Sequence, residues 1–171
     1  MNSSEILLTV ISGSEAVTKK RFFIMKIVIS IHDQNLIFSD GDTILIYPVS
    51  TSKFGEGFEE GSGKTPTGEF SVCEKIGVNA ERGMIFKNRI PTGQTADIGK
   101  CESDVITSRI LRLDGLDNYN SNTLDRYIYI HGTSDEANIG KKASFGCIRM
   151  KNDDIIELFS YVRTGCKVYI K

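Results

Sequence analysis

RYIYIHGT, from Arg126 to Thr133, is a short run of tyrosine and isoleucine that ends in His-Gly-Thr. Runs of β-branched and aromatic residues that stop at a glycine are typical of strands. Cys147 lies sixteen residues after His131, in the segment SFGCIRM from Ser144 to Met150. The two segments predict a β domain with a histidine at a strand end and a cysteine in a glycine-containing turn.

The same composition recurs upstream, in short runs separated by Gly, Asp and Asn. It predicts an antiparallel meander with a tight turn at Ser39–Asp42, and a glycine-rich loop over 50–68 that suits a rim or site wall. Apolar residues at helical spacing predict one C-terminal helix to about Val162, capped by Asn152 or Asp153. The expected fold is mainly β, a mixed sheet or sandwich with one C-terminal helix. Strands are expected at residues 22–31, 35–38, 43–49, 69–75, 105–113, 126–130 and 167–171, with a short candidate at 84–86 and a polar turn at 115–122.

Composition excludes several classes of function. The chain has 171 residues, of which 40% are hydrophobic, enough for one domain with a core. With 21 basic and 22 acidic residues its net charge is −1, so nothing favours nucleic acid or an anionic membrane surface. The longest apolar run is too short to span a bilayer. Two histidines and four cysteines without a C-x-x-C pair predict neither a metal site nor a redox motif.

The first 24 residues differ from the rest of the chain. Their short apolar run, Ile6 to Ile11, has no basic residue before it and is a poor match to a secretory signal. We expect residues 1–24 to be a leader or disordered extension, and residues 25–171 to be the working domain.

A thiol needs a base or a positive neighbour to act as a nucleophile, since an ordinary cysteine is only about 3% ionised at pH 7. Cys147 and His131 are expected on one rim of the domain, which makes a Cys–His dyad the leading hypothesis. Such a dyad predicts fast, pH-insensitive alkylation near neutrality. The alternative is that Cys147 is a small buried hydrophobe. Packing is the expectation for Cys73, Cys101 and Cys166, with a Cys73–Cys101 pair left open, and a structural or solvent-facing role for His32.

The local motifs point to one family. HGT at 131–133, followed by SFGCIRM at 144–150, closely resembles the L,D-transpeptidase catalytic domain, also called the YkuD domain. GKTPTGEF at 63–70 resembles the early loop of that family, and Gly165 with Val168 and Ile170 resembles its closing turn and strand. The resemblance spans roughly residues 25 to 171.

The resemblance implies roles for six residues. Cys147 is the expected nucleophile and His131 the general base and then acid. The imidazole is oriented by the Gly132 carbonyl or by a hydroxyl such as that of Ser144, and main-chain amides around Gly146 and Cys147 donate to the oxyanion. Arg149 either holds a substrate carboxylate or braces the turn.

The implied substrate is a peptidoglycan stem peptide. A tetrapeptide donor, cut after its third residue with release of D-alanine, forms a thioester that an acceptor amine resolves as a 3→3 cross-link. A lipoprotein lysine is another acceptor, and water would make the protein an L,D-carboxypeptidase. A non-catalytic wall-binding module is the remaining alternative. No cofactor, metal, nucleic acid or membrane span is implied, the oligomeric state is open, and the substrate implies the periplasm or cell envelope.

One position departs from the family pattern. Phe145 stands where many members have histidine, between Ser144 and Gly146. The position is variable in the family, so an altered acceptor choice or pH profile is the expectation rather than inactivation.

Overall fold

The computed structural model describes residues 5–7, 21–99 and 104–171, with side chains from residue 24 onward. Over these ranges the chain forms twelve strands and one α-helix. In chain order they are β1 (Glu5–Leu7), β2 (Arg21–Phe23), β3 (Lys26–Ser30), β4 (Asn35–Asp40), β5 (Thr43–Pro48), β6 (Gly68–Ile76), β7 (Met84–Lys87), β8 (Ile90–Thr95), β9 (Ile106–Gly115), β10 (Tyr129–Thr133), β11 (Ile148–Met150), α1 (Asn152–Tyr161) and β12 (Lys167–Ile170).

The main sheet is mixed and curled. Its strands lie in the order β11-β10-β9-β6-β12-β3-β4-β5, with the β7–β8 hairpin joined to β9, while β1 and β2 pair separately. The pairs β10–β11 and β12–β3 are parallel, and the others are antiparallel. Ser50, just after β5, bridges to Arg149 in β11, so the two ends of the order meet. The predicted mainly β fold with one C-terminal helix is confirmed.

The core lies inside the curl, beneath α1. Alternate residues of the strands point inward, as β3 illustrates with fully buried Ile27 and Ile29. The helix adds the buried side chains of Ile155, Leu158 and Phe159 on one stripe. Each such side chain contributes about 1.5–3 kcal/mol through removal from water. This apolar interior holds β10 and β11 rigidly side by side.

Several predicted boundaries are corrected. The meander β3–β4–β5 is confirmed, but its turn contains only Gly41 and Asp42, because Asp40 pairs with Thr43. The run 22–31 is split between β2 and β3, and the polar segment 115–122 contains a 3₁₀ turn at Asn118–Thr123. The prediction of a helix cap at Asn152 or Asp153 was wrong, since Lys151 is the N-cap and Asn152 is buried within the first turn.

The strand prediction at 126–130 was wrong at its start. Tyr127 has a φ of +55°, which a strand cannot accommodate, so β10 begins at Tyr129 and contains His131. Sequence patterning also missed β8, whose six residues are all exposed, and β11, which has only three residues.

Two predictions concern residues that are not described. Cys101 lies outside the described ranges, so the Cys73–Cys101 pair stays a prediction. Most of residues 1–24 lie outside them too, and the boundary at residue 25 likewise stays a prediction. Within the described part of the chain, no helix combines the length and apolar character needed to cross a bilayer.

Candidate active site

Strand register brings the predicted pair to one face of the sheet. In the parallel pair β10–β11, Ile130 lies beside Ile148 and His131 beside Arg149. Ile130 and Ile148 point into the main core. Because side chains alternate along a strand, His131 and Arg149 point to the opposite face, and so does Cys147, two residues before Arg149. Cys147 packs there against a second small cluster formed by Phe86, Ile110 and Tyr129.

The thiol of Cys147 is held by the main chain at the start of β10. Its Sγ donates to Tyr127 O at 3.2 Å and accepts from Tyr129 N at 3.4 Å. Among the described residues these are its two hydrogen-bond partners, so Cys147 and His131 share a face without a direct hydrogen bond. Catalytic hydrogen bonds are often long before substrate binds, and this geometry is compatible with a dyad.

Burial raises the pKa of the Cys147 thiol to about 11. The Tyr129 N–H and the charges of Arg149 and Arg126 act in the opposite direction but do not outweigh it, and Asp104 adds to the increase. The thiol is therefore neutral at pH 7. This argues against the thiolate, and hence the pH-insensitive alkylation, that the dyad hypothesis predicts from sequence.

We expect the alkylation of Cys147 by iodoacetamide to be slow at pH 7 and to rise about tenfold per pH unit up to pH 10, because only the thiolate reacts. Peptide-resolved mass spectrometry measures this rate separately from that of Cys73, whose partly buried thiol donates a hydrogen bond to Arg112 O. A Cys147 rate that stays flat between pH 6 and 8 would show a preformed thiolate and contradict the expectation.

His131 is a buried base with one nitrogen already engaged. Its side chain is almost fully buried, and Nδ1 lies 2.8 Å from Gly132 O. Since a carbonyl only accepts, Nδ1 carries the proton and Nε2 keeps a free lone pair. Burial lowers the pKa of His131, although Gly132 O and Asp104 partly oppose the shift. The imidazole is thus neutral at neutral pH, and Gly132, one of the two expected orienting groups, contacts it.

Ser144 organises the turn that contains Cys147 and has no hydrogen bond to the imidazole in the described part of the chain. Its Oγ donates to Cys147 O at 2.6 Å and accepts from Gly146 N at 3.2 Å. Gly146 N–H is therefore engaged, whereas the N–H of Cys147 has no acceptor among the described residues. Of the two amides expected to serve an oxyanion, that of Cys147 is the available one. Gly146 has a φ of +119°, where a side chain would be strained.

The glycine-rich loop forms a wall of the site, as its composition predicts. Thr65 Oγ1 donates to Gly146 O at 2.9 Å and accepts from Ser52 N at 3.0 Å. Arg126 donates to Gly57 O at 3.0 Å and to Lys64 O at 2.6 Å from the other side. Sequence reasoning singled out neither Thr65 nor Arg126. Thr65 lies in the motif at 63–70, so the sequence offered a reason to single it out, but no motif or pattern pointed to a contact of Arg126 with this loop.

Arg149 is a buried brace. Its Nε lies 2.9 Å from Asp104, one terminal nitrogen lies 3.4 Å from Asp135, and the other donates to Ala143 O at 2.9 Å. Asp104 also accepts from Thr133 Oγ1. With these partners engaged, the geometry favours bracing of the turn over binding of a substrate carboxylate.

We expect Arg149→Met to lower the free energy of unfolding by about 2–4 kcal/mol, because it leaves two partly buried carboxylates without their cation. Chemical denaturation measures the change. Arg82→Met is the matched control: the Arg82 side chain is 46% exposed and pairs with the 73% exposed Asp153 and, at 3.7 Å, with Glu136, so the cost is below about 1 kcal/mol. Equal costs for the two variants would show that the buried network does not brace the fold.

A bulge in β9 shapes the backbone opposite His131. His131 pairs with Ile110 but Gly132 pairs with Thr107, so Ser108 and Arg109 are extra residues. Ser108 has a φ of +60°. A Cβ on Gly132 would lie 2.6 Å from Thr107 O, which explains the glycine after the histidine. Bulges next to active sites re-aim side chains, and this one lies on the strand beside the base.

Asn152 ties this bulge to α1. Its Oδ1 accepts from the hydroxyls of Thr107 and Ser108, at 2.7 and 2.6 Å. Its Nδ2 donates to Thr133 O and to Glu136. The residue predicted as a cap therefore joins β9, β10 and α1 behind the histidine, a role that no local pattern signals.

Phe145 lies on the surface of the domain. Its side chain is 64% exposed and contacts Phe54 edge-on at 5.7 Å between ring centroids. Lys53 Nζ lies 4.1 Å from the centre of the Phe145 ring. Phe145 thus forms an exposed patch with Phe54 and Lys53, two residues from Cys147 in the sequence. In the described residues no group of three His, Cys, Asp or Glu side chains could hold a metal ion.

Comparison with known proteins agrees on one family. The sequence model of the L,D-transpeptidase catalytic domain, YkuD, matches residues 25–170. The Bacillus subtilis (strain 168) protein YqjB, which carries an L,D-transpeptidase name, is 33% identical over 125 residues, covering 73% of this chain and 58% of YqjB. B. subtilis YkuD, named in the same way, is 58% identical over 41 residues, 24% of this chain and 25% of YkuD.

Solved structures share the fold. An L,D-transpeptidase from Mycobacterium smegmatis superposes with a TM-score of 0.57 at 18% identity, covering 91% of this chain and 64% of that one. L,D-transpeptidase 3 from Mycobacterium tuberculosis, in complex with a faropenem-derived adduct, gives 0.57 at 17% identity, covering 90% and 64%. At these identities the likeness concerns the fold alone. The chain spans less than two thirds of the length of these relatives.

Proposed function

The chain belongs to the L,D-transpeptidase catalytic domain family, and from that premise we propose that it transfers an acyl group between peptidoglycan stem peptides through a thioester on Cys147. The supporting observation is the arrangement of Cys147 and His131: a neutral thiol and a neutral imidazole lie on one sheet face, and Gly132 fixes the proton on Nδ1. Nε2 is therefore free to act as the base.

The acylation step transfers one proton twice. As Sγ attacks the carbonyl carbon of the third stem residue, the thiol proton passes to His131 Nε2 and the carbonyl oxygen becomes an oxyanion near the Cys147 N–H. Collapse of this intermediate breaks the C–N bond. His131 returns the proton to the leaving amine of D-alanine, and the acyl group remains on sulfur as a thioester.

The deacylation step repeats this chemistry in reverse order. An acceptor amine attacks the thioester and gives its proton to His131, the C–S bond breaks, and the proton returns to sulfur. With a neighbouring stem as acceptor the product is a 3→3 cross-link. Concerted proton transfer suits the raised pKa of Cys147, because a thiol with a pKa of about 11 needs a base at the moment of attack.

Three further assignments belong to this proposal. Residues 25–171 act as the catalytic domain, the site of action is the periplasm or cell envelope, and Ser144, Gly146 and Arg149 hold the nucleophile's turn in shape. The contacts of Ser144 with the turn, and of Arg149 with Asp104, support the last of these.

Mass spectrometry of the products tests the proposal. The protein is incubated with a purified disaccharide-tetrapeptide that carries a diamino acid at position three. A dimer that has lost one D-alanine establishes the transpeptidase, and a tripeptide monomer establishes the L,D-carboxypeptidase instead. If neither product forms, the acyl-transfer proposal fails on this substrate and a wall-binding role becomes the better account.

A further inference from the structure

A cavity of about 350 Å³ opens beside the nucleophile. Its lining consists of Asn88, Arg89, Ile106, Tyr127 and Tyr129. The main-chain atoms that hold the Cys147 thiol belong to Tyr127 and Tyr129, so the cavity and the thiol share two residues. A group bound in this cavity therefore contacts the same two residues that hold the thiol.

Unusual backbone conformations cluster around this cavity. Lys87 pairs with Ile90, so Asn88 and Arg89 form the two-residue turn of the β7–β8 hairpin, with φ values of +50° and +68°. Tyr127 has a φ of +55°. Asparagine tolerates this left-handed backbone conformation, but Arg89 in the turn and Tyr127 before β10 are strained by it. Strain of this kind is retained where the surrounding structure imposes it, commonly at sites that bind ligands.

The Arg89 guanidinium is positioned but not neutralised. It donates to the Tyr129 hydroxyl at 3.1 Å and lies over the Tyr127 ring at 5.4 Å. Among the described residues no carboxylate forms an ion pair with it. A guanidinium has five N–H donors, so most of them stay available. The Tyr129 oxygen accepts from Arg89, which leaves its own O–H free to donate.

We propose that Arg89, together with the Tyr129 hydroxyl, binds a carboxylate of the acyl-donor stem peptide and thereby sets which donors are accepted. This inference rests on the proposed function. A planar guanidinium beside a phenolic O–H matches a carboxylate, which takes two parallel N–H donors and a further O–H donor. The leaving D-alanine ends in such a carboxylate, one residue or about 3.8 Å along the backbone from the scissile carbonyl.

Binding and turnover are tested with three tetrapeptide donors: the free acid, a C-terminal amide and a form whose interior side-chain carboxylate is amidated. Arg89→Asn is the variant of choice because asparagine tolerates the left-handed backbone. We expect it to raise KM for the free acid about tenfold to a hundredfold with little change in kcat. The variant has no such effect on KM for the donor that lacks the recognised carboxylate, and this donor therefore identifies the carboxylate that Arg89 binds. Arg89→Lys keeps the charge without the planar fork and recovers part of the affinity.

The same comparison is made for binding alone, by calorimetry in the Cys147→Ala background, where no turnover is needed. If the protein binds the peptides in an Arg89-dependent way but turns none of them over, the proposed function is overturned and this inference stands. Equal effects of Arg89→Asn on all three donors would overturn the inference. Arg82→Asn is the matched control: it removes an exposed arginine that pairs with Asp153 and Glu136 and does not line the cavity, and it leaves all three affinities unchanged.

Discussion

Cys147→Ala is expected to reduce product formation to the level without enzyme, because the variant has no atom that can carry the acyl group. The turn itself persists, since Ser144 bonds to main-chain atoms of Gly146 and Cys147 that alanine retains. Mass spectrometry of products from the disaccharide-tetrapeptide measures the loss. Cys147→Ser retains a hydroxyl of much higher pKa and is expected to be at least about a thousandfold slower than the wild type.

Cys73→Ala is the matched control for this variant. Cys73 is also partly buried, but its thiol donates to Arg112 O on β9 rather than to the main chain before β10. Its removal leaves the yield unchanged. Normal yield from Cys147→Ala, with thermal unfolding and circular dichroism like those of the wild type, would show that another group carries out the chemistry.

His131→Ala is expected to lower kcat/KM by about 10²–10⁴, the usual contribution of a general base. In the proposed mechanism the active form of His131 is the neutral imidazole. Because burial lowers its pKa, activity in the wild type persists as the pH falls below 6.5, and the acid limb lies below that value. In His131→Ala this limb disappears, and the residual rate increases towards pH 11 as the thiol ionises.

The pH profile separates a base from a structural residue. A merely structural histidine would lower kcat/KM without removing the acid limb, and that result would contradict the assignment. His131→Asn, which can still donate to Gly132 O, keeps the local contact and checks that the loss is not one of folding. His32→Ala is the matched control. The His32 side chain is 96% exposed and contacts only the neighbouring Asp33 among the ion pairs of the described residues, so its removal leaves kcat/KM and its pH profile unchanged.

The elements with strong local patterns were predictable. β3 to β6, β9, β12 and α1 combine apolar periodicity with turn residues, and each was predicted within a few residues. β8 and β11 were missed because neighbouring strands, rather than their own sequences, make them extended. β10 was displaced because Tyr127 adopts a left-handed conformation that propensity disfavours.

The sequence alone predicted which residues would carry the chemistry. His131, Gly132, Ser144, Gly146, Cys147 and Arg149 stand in a motif whose residue types and spacing indicate a family, and this information is local along the chain. Gly132 and Gly146 belong to that motif, but the reason that each is glycine lies in the structure: a Cβ at 132 would meet Thr107 O, and the φ at 146 is one that side chains rarely adopt.

Only the tertiary structure decided how these residues are protonated and held. The pKa of Cys147 depends on burial beside β10, the tautomer of His131 on the position of Gly132 O, and the role of Arg149 on the approach of Asp104. Asn152 contacts the β9 bulge opposite His131, and Arg89 contacts the two tyrosines whose main chain holds the Cys147 thiol; both contacts join residues about 40 or more positions apart in the chain. Desolvation and hydrogen bonding depend on neighbours in space, and those neighbours exist only once the sheet has curled and brought its strands together.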